Sequence, residues 1–525
     1  MLKHALITSS IVLSAATFAA QQMPEAISYP FVYQLDEREK GLSDVHKVKL
    51  LEDGLPSLQA RLDLIKKAQK TIDIEYFIYN TDQGGKLFTA ALIEAAERDV
   101  KVRILVDKNI TIFKLNHYIA HQLKKHGIEV RYYNDSKDAA LVQYRTHRKF
   151  IIIDAEDEIN GQEAITGGRN IGDEYFDMSL DFNFHDRDMW IKGPAVKAMK
   201  DTFDIFWNDD LTVKPEKVTF KTPPKYVPRE DDPHAFHRAY EREMHFYKMF
   251  KKKMDKAKEF TTITDEERKL FDVIESKTRK TLDGLKEFGC PEIIFASDHP
   301  GGRKFIKRLV PGSRQEFTDS VKAIRKVLDK KIVDLDESII VDSPYLLSNK
   351  ITKQLVSYLN EKEIDFTLYT NSLASTDAFY VAANFYTRHE FKQREGMNVH
   401  LHKGKFFGDA EVFDEEAKKA YWGTHSKTQI YDNEEVMIGT YNIDNRSNYY
   451  NAEMGIFCKG DQGFVDEVKK AIEFRVGNGM KLVNREEAID NKTGESLDPL
   501  GDAPLSKIIM MKFFTPLSVL IKDLL

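Results

Sequence analysis

The chain has 525 residues, 42% of them hydrophobic, with 78 Lys and Arg against 84 Asp and Glu and a formal charge of −6 at pH 7. That size and apolar content suffice for a sizeable core and predict two domain-sized units rather than one. The acidic balance gives no overall attraction to nucleic acid, although a local basic stripe is compatible with it, and the two well-separated cysteines, Cys290 and Cys458, read as free thiols rather than a disulfide framework.

In chain order, residues 1–20 open with the basic Met1-Leu-Lys-His and continue with an apolar, small-residue run from Ala5 to Ala20. The run is too short to span a bilayer comfortably and reads as an export signal, with cleavage after Ala19 or Ala20; the competing reading is an uncleaved anchor. Residues 21–45 read as an extended arm. A first repeat over 46–212 then alternates helix and strand: a helix near Leu58 to Ala68, a strand Thr71 to Ile78, a helix near Lys86 to Glu97 and a strand Val100 to Asp107. Residues 213–311 break that rhythm with Lys-Thr-Pro-Pro-Lys225 and the run Lys248-Met-Phe-Lys-Lys-Lys-Met254, and read as a linker with a charged helical insertion. Its lysines suit either a lid or anionic-lipid surface, or a solvated face. The rhythm returns over 312–500, with a helix near Phe317 to Leu328, a strand Ser338 to Val341, a helix near Thr352 to Leu359 and a strand Asp365 to Thr370. The tail, 501–525, is strongly apolar but broken by Pro516 and by lysines, which suits an interfacial helix or a helix packed across the fold.

One pattern occurs twice. His147, Lys149 and Asp154 repeat as His425, Lys427 and Asp432, and each set is followed by a Gly-x-x-Asn turn ending in Asn170 or Asn442. The six extra residues of the first copy fall in Ala155 to Glu163, a lengthened hairpin tip. On a strand, each His and Lys share a face, whereas Asp154 and Asp432 fall on the other and are expected to be structural.

These motifs, together with Ile74-Glu-Tyr-Phe-Ile-Tyr79, Gly167 through Phe176, Ser297-Asp-His-Pro-Gly301, Thr370-Asn-Ser-Leu-Ala374 and Ser447 through Gly455, make the chain resemble the phospholipase D superfamily. Within it the C-type branch of bacterial cardiolipin synthases is most similar. The resemblance implies an α/β fold of two tandem α/β/α sandwich repeats with the active site at their pseudo-twofold interface. It implies His147 as nucleophile and His425 as general acid/base, and it places Asp188 and Glu453 as the acids that orient the histidines.

The residue types fit that chemistry. A neutral imidazole attacks a phosphodiester without charge repulsion and divides the reaction into two displacements. The second histidine protonates the departing alcohol and deprotonates the incoming one. Lys149 and Lys427 neutralise the non-bridging oxygens, and the Asn170 and Asn442 amides donate to them. Arg169, Arg446 and Ser447, in the motif turns, are candidates for binding phosphate, with turn stabilisation the competing reading. No compact Asp/Glu/His cluster demands a metal, and no cofactor is implied. The function so implied is phosphatidyl transfer producing cardiolipin from phosphatidylglycerol and a second phospholipid such as phosphatidylethanolamine. Its alternatives are hydrolysis to phosphatidic acid and a metal-independent nuclease, and nucleic acid is disfavoured as a partner. The expected location is outside the cytoplasm, periplasmic and peripheral on a membrane surface, with secretion as the alternative.

Overall fold

The computed structural model describes residues 28–35, 45–108, 113–135, 143–159, 161–225, 233–300, 321–347, 350–387 and 396–521. The expected leader at 1–20 lies outside them.

Twenty-four strands are described, in chain order β1 (Val32–Gln34), β2 (Lys47–Leu51), β3 (Thr71–Tyr76), β4 (Lys101–Asp107), β5 (Glu129–Tyr133), β6 (Arg145–Thr146), β7 (Phe150–Ile153), β8 (Glu163–Gly167), β9 (Phe182–His185), β10 (Asp188–Lys192), β11 (Thr212–Val213), β12 (Phe288–Gly289), β13 (Glu292–Ser297), β14 (Ser338–Asp342), β15 (Asp365–Asn371), β16 (Asn398–His402), β17 (Tyr421–Thr424), β18 (Thr428–Tyr431), β19 (Glu435–Gly439), β20 (Asn451–Ala452), β21 (Met454–Lys459), β22 (Met480–Leu482), β23 (Ala488–Asp490) and β24 (Ser496–Leu497). The helices used below are α1 (Gly54–Lys67), α2 (Gln83–Glu97), α3 (His117–Lys125), α4 (Ala195–Trp207), α5 (Pro233–Phe260), α6 (Asp265–Asp283), α7 (Ala323–Val333), α8 (Lys350–Glu361), α9 (Phe379–Phe385), α10 (Asn445–Tyr449), α11 (Gln462–Asn478) and α12 (Leu505–Ile521).

The duplication is visible in the strand order. One sheet runs β11-β5-β4-β3-β7-β8-β10-β2-β12 and the other β1-β13-β21-β19-β18-β14-β15-β16-β22-β23-β24, so β5-β4-β3-β7-β8-β10 matches β16-β15-β14-β18-β19-β21. In each repeat three strands are parallel, joined by crossover helices, and the hairpin that follows the motif is antiparallel. The connection inside that hairpin spans 154–162 in the first copy and 432–434 in the second, so the length difference falls there. Apolar side chains fill three layers: an outer layer under α1, α2 and α3, a middle layer where α4 and α11 lie between the sheets, and an outer layer under α7, α8 and α9. Burial on both faces explains the continuous Ile and Val runs of the central strands.

Three segments differ from the sequence reading. Residues 288–297 were expected in the linker, but β12 closes the edge of the first sheet and β13 pairs with β21 inside the second, because Ile293, Phe295 and Ala296 bury between them. From the arm, β1 pairs antiparallel with β13, so an N-terminal strand completes the C-terminal repeat's sheet. The cysteines are not free thiols: Cys290 and Cys458 form a buried disulfide with Cα atoms 5.5 Å apart across 168 residues of sequence. Continued straight, the β13 register would carry Cys290 three residues past Cys458; the Cys290 backbone N–H instead donates to His46 O beside the end of β12, and the bend there sets it against Cys458, which a sequence separation of that size conceals.

The motif aspartates share one arrangement. Asp154 accepts hydrogen bonds from the backbone N–H groups of Gln69, Lys70 and Thr71, and Asp432 from those of Asp336, Glu337 and Ser338. Each therefore ties the hairpin to the start of the adjacent parallel strand, β3 or β14, from a left-handed backbone position with φ of 46° and 47°.

Candidate active site

The site is assembled by two short strand pairs that cross between the repeats. β6 runs parallel to β20, with Thr146 opposite Ala452, and β17 runs parallel to β9, with Thr424 opposite His185. One residue further along each pair stand His147 beside Glu453 and His425 beside Asp186. The backbone N–H of His147 donates to Ala452 O at 2.9 Å, and that of His425 to His185 O at 3.0 Å. The chain thus leaves its own ladder at each motif histidine to bond across the interface, and the hairpin strands begin only after the lysines, at Phe150 and Thr428.

Each histidine is held by an acid from the opposite repeat. His147 Nδ1 lies 2.9 Å from Glu453 Oε2 and 3.1 Å from the Thr440 carbonyl. Both neighbours are acceptors, so Nδ1 carries the proton and Nε2 keeps its lone pair, with no hydrogen bond among the described residues. His425 Nδ1 lies 2.7 Å from Asp186 Oδ2. Burial lowers His147 to about 4 and His425 to about 3, overriding the neighbouring carboxylates, so both rings are neutral at pH 7. Burial opposes ionisation of the acids as well, but the His147 ring, with Lys149, holds Glu453 at about 2, and the His425 ring and Lys427 keep Asp186 well below the usual carboxylate range. Phe77 packs edge-on against the His147 ring at 5.0 Å, and Tyr175 edge-on and Phe184 tilted against His425 at 5.3 and 4.9 Å, which limits water around both.

Lys149 and Lys427 are buried, and each returns its Nζ to the carbonyl of its own motif histidine. The environments are not identical, since Lys427 Nζ also sits 2.9 Å from His425 Nδ1 and 3.0 Å from Nε2. Burial, followed by the charge of Lys427, pushes Lys149 well below the ordinary lysine value, and burial brings Lys427 to about 8. Two buried lysines in mutual electrostatic range favour an anion between them, whose charge restores the ammonium form that burial disfavours. Asn170 Oδ1 accepts from Ile78 N at 3.1 Å and its amide donates toward the Tyr175 hydroxyl, whereas the Asn442 side-chain carbonyl is buried without a partner among the described residues.

Asp188 does not orient a histidine. Its carboxylate is bonded to Arg61, Arg169 and Ser57 beneath the sheet. Register explains the correction: Gly167 pairs with Asp188 and Gly439 with Gly455, so the counterpart of Glu453, two residues before Gly455, is Asp186. Gly168 makes room for it, because a Cβ there would lie 2.0 Å from Asp186 Oδ1. Arg169 is no phosphate ligand either; it is fully buried and spends its donors on Asp188 and the carbonyls of Leu51, Glu52, Tyr175 and Asp186. Ser447 donates to Glu453 Oε1 at 2.7 Å and accepts from Asn442 N, which makes it a support of the acid rather than a substrate contact. Arg446 is only partly buried, and its charge acts on Asp107, Asp444 and Tyr380.

The residues the sequence reading missed form the floor of the site. Arg148 pairs with Glu75 and bonds Ser297, and Thr146 bonds the same Glu75. In the second repeat Asp342, which is Glu75's counterpart by strand position, receives Thr424, Arg187 and Arg475. A glutamate in the middle of Ile74-Glu-Tyr-Phe was the one sequence signal, since a lone acid in a buried strand demands a cation.

Comparison with known proteins agrees with this architecture. The family model described as cardiolipin synthase, PLD-like domain, matches residues 62–207 and 330–474. Cardiolipin synthase C of Escherichia coli is 26% identical over 428 residues, 78% of this chain and 81% of that protein. An uncharacterised protein of Helicobacter pylori is 28% identical over 455 residues, 83% of this chain and 80% of its own length. The crystal structure of phosphatidylserine synthase from Haemophilus influenzae superposes with a TM-score of 0.57 at 13% identity, covering 92% of this chain and 98% of that one, a likeness of fold. With two matched domains carrying the two histidine motifs, the chain belongs to the cardiolipin synthase family of phospholipase D-like, phospholipid-modifying enzymes.

Proposed function

We propose that the protein transfers a phosphatidyl group from one phospholipid to a hydroxyl of phosphatidylglycerol, forming cardiolipin through a covalent intermediate on His147. The crossed pairs, His147 with Glu453 and His425 with Asp186, set beside two buried lysines, carry this reading. In the first displacement His147 Nε2 attacks phosphorus, the bond to the leaving alcohol oxygen breaks, and His425 supplies that oxygen's proton. In the second, His425 takes the proton of the incoming hydroxyl, its oxygen forms the new bond to phosphorus, and the P–N bond breaks to return neutral His147. An entering anionic phosphodiester raises the proton affinity of His425, which prepares it as the acid. Lys149, Lys427, Asn170 and Asn442 stabilise the non-bridging oxygens, and Glu453 and Asp186 stabilise each imidazolium as it forms. The phospholipids served are phosphatidylglycerol and a second donor such as phosphatidylethanolamine, met at a membrane surface.

We place the enzyme outside the cytoplasm; the buried disulfide supports this, because such bonds persist in oxidising compartments. Incubating the protein with phosphatidylglycerol, with and without phosphatidylethanolamine, and weighing the lipid products by mass spectrometry tests the assignment. Cardiolipin is the expected product, absent with His147→Ala. Phosphatidic acid alone would move the assignment to hydrolysis, in which water captures the same intermediate.

A further inference from the structure

The pseudo-twofold relation extends to helices outside the catalytic repeats. α3 follows β4 as α9 follows β15, and each carries an additional helix, α5 on α3 and α12 on α9. Both additions contact elements that lead to the catalytic residues. On one side, Phe250 packs against Tyr118 at 6.1 Å and Lys253 Nζ lies 5.7 Å from the same ring, at the start of α3; the charges of Lys253 and Lys108 both reach His117. Lys108 directly follows Asp107, which binds Thr146 N beside His147. On the other side, Lys507 of α12 donates to Thr376 O at 2.7 Å and lies over Phe182 and Tyr421, the residues that begin the strand pair leading to Asp186 and His425. Phe514 packs on Phe379 at 5.1 Å.

The outward faces of the two helices differ in chemistry. In α5, the nine residues from Lys248 to Lys256 hold five lysines and a single acid, Asp255, with the lysines exposed and Phe246 and Met249 exposed beside them. In α12, Met511 and Phe514 face the fold, whereas Leu505, Ile509 and Phe513, one helical turn apart, are 70%, 58% and 67% exposed, with Met510 beside them. A soluble surface does not ordinarily leave such a stripe to water. Among the described residues no helix is long and apolar enough to cross a membrane.

We propose that these two helices seat the enzyme, cleft downward, on an anionic phospholipid bilayer, with the α5 lysines against headgroups and the α12 stripe sunk among the upper acyl carbons. The pseudo-twofold axis then stands along the bilayer normal, and a lipid headgroup rises into the cleft between two supports while its chains remain in the membrane. The charge of α5 matches an anionic surface and the apolar stripe of α12 matches its hydrocarbon margin. The proposal rests on the phospholipid reading of the site.

The test compares turnover of the full-length chain on vesicles of long-chain phosphatidylglycerol with turnover on dispersed short-chain phosphatidylglycerol below its micelle threshold. The variants are Ile509→Glu with Phe513→Glu, and Lys248→Gln, Lys251→Gln, Lys252→Gln with Lys256→Gln, all at exposed positions. Each should lose about tenfold or more on vesicles and stay within about twofold of wild type on dispersed monomers, and added salt should erase the difference between wild type and the lysine variant. An unchanged vesicle-to-monomer ratio in both variants overturns the proposal, as does equal loss on the two substrates. If the wild type turns over neither substrate, the functional reading fails by itself, and cosedimentation with the same vesicles decides docking: weaker binding of both variants upholds it, and binding equal to wild type overturns it.

Discussion

Asp186 and Asp188 are separated by a single residue and have opposite surroundings, one against the His425 ring and the other against Arg61 and Arg169. Asp186→Asn should lower turnover by about 10²- to 10⁴-fold, because the amide no longer fixes the histidine tautomer or stabilises its cation, with little change in the urea midpoint. Asp188→Asn should instead cost about 3–5 kcal/mol of stability by leaving two buried guanidinium groups underpaired, which urea titration would register. The histidines themselves set a pH dependence. His46, His147, His402 and His425 are lowered by burial to about 4, 4, 3 and 3, while the unfolded chain takes up protons near the ordinary value of 6.5. The unfolded state therefore binds more protons between pH 6.5 and about 4, so their contribution is complete above 6.5 and lost as pH falls through that window, by about 1.4 kcal/mol per pH unit for each ring. Asp107, Glu174 and Asp177, each pushed up to about 7 by burial, take up protons in the folded state over the same range and oppose this slope in a urea titration, so the check is ring-resolved NMR: the His147 and His425 resonances should stay at neutral-imidazole positions from pH 7 to pH 5, and a transition near 6.5 would contradict neutral burial of these rings. At this scale the sequence was legible where chemistry repeats locally, in His147, Lys149, Asn170 and their counterparts. It was not legible where partners come from the other repeat: nothing local distinguishes Asp186 from Asp188, and nothing announces that Arg169 has no donor to spare.

Among elements, the clearest sequence signal was the strand and helix alternation, since two-sided burial writes Ile and Val runs into the parallel strands and an apolar face into each crossover helix. The strand-face argument also set Asp154 and Asp432 apart from the histidines and lysines, and both carboxylates bind backbone at the foot of a neighbouring strand. Asp154→Ala or Asp432→Ala should cost about 2–4 kcal/mol, from three backbone donors losing a charged acceptor, while turnover per folded molecule stays near wild type. Thermal unfolding and kcat measured on the same samples separate the two effects. The segments the sequence misplaced, β12 and β13, are short, and their pairing partners lie more than a hundred residues away, β2 before them and β21 after. Propensity over six residues does not select such a partner; the remaining edge of a nearly finished sheet does.

At the scale of the molecule, duplication gives a site that neither repeat possesses alone, because each histidine is oriented by the other repeat's acid. The middle core layer, the crossing strand pairs and the Cys290–Cys458 disulfide hold that interface. Replacing both cysteines with serine should lower stability by about 2–5 kcal/mol under oxidising conditions and leave the product spectrum unchanged, as followed by urea titration and lipid mass spectrometry. The central claim is the division of labour between the histidines, and peptide mapping after rapid quench from phosphatidylglycerol labelled with radioactive phosphorus tests it most directly. An acid-labile label on the peptide containing His147, absent from the His147→Ala protein, is the predicted result; label on the His425 peptide, or label persisting in His147→Ala, would contradict it.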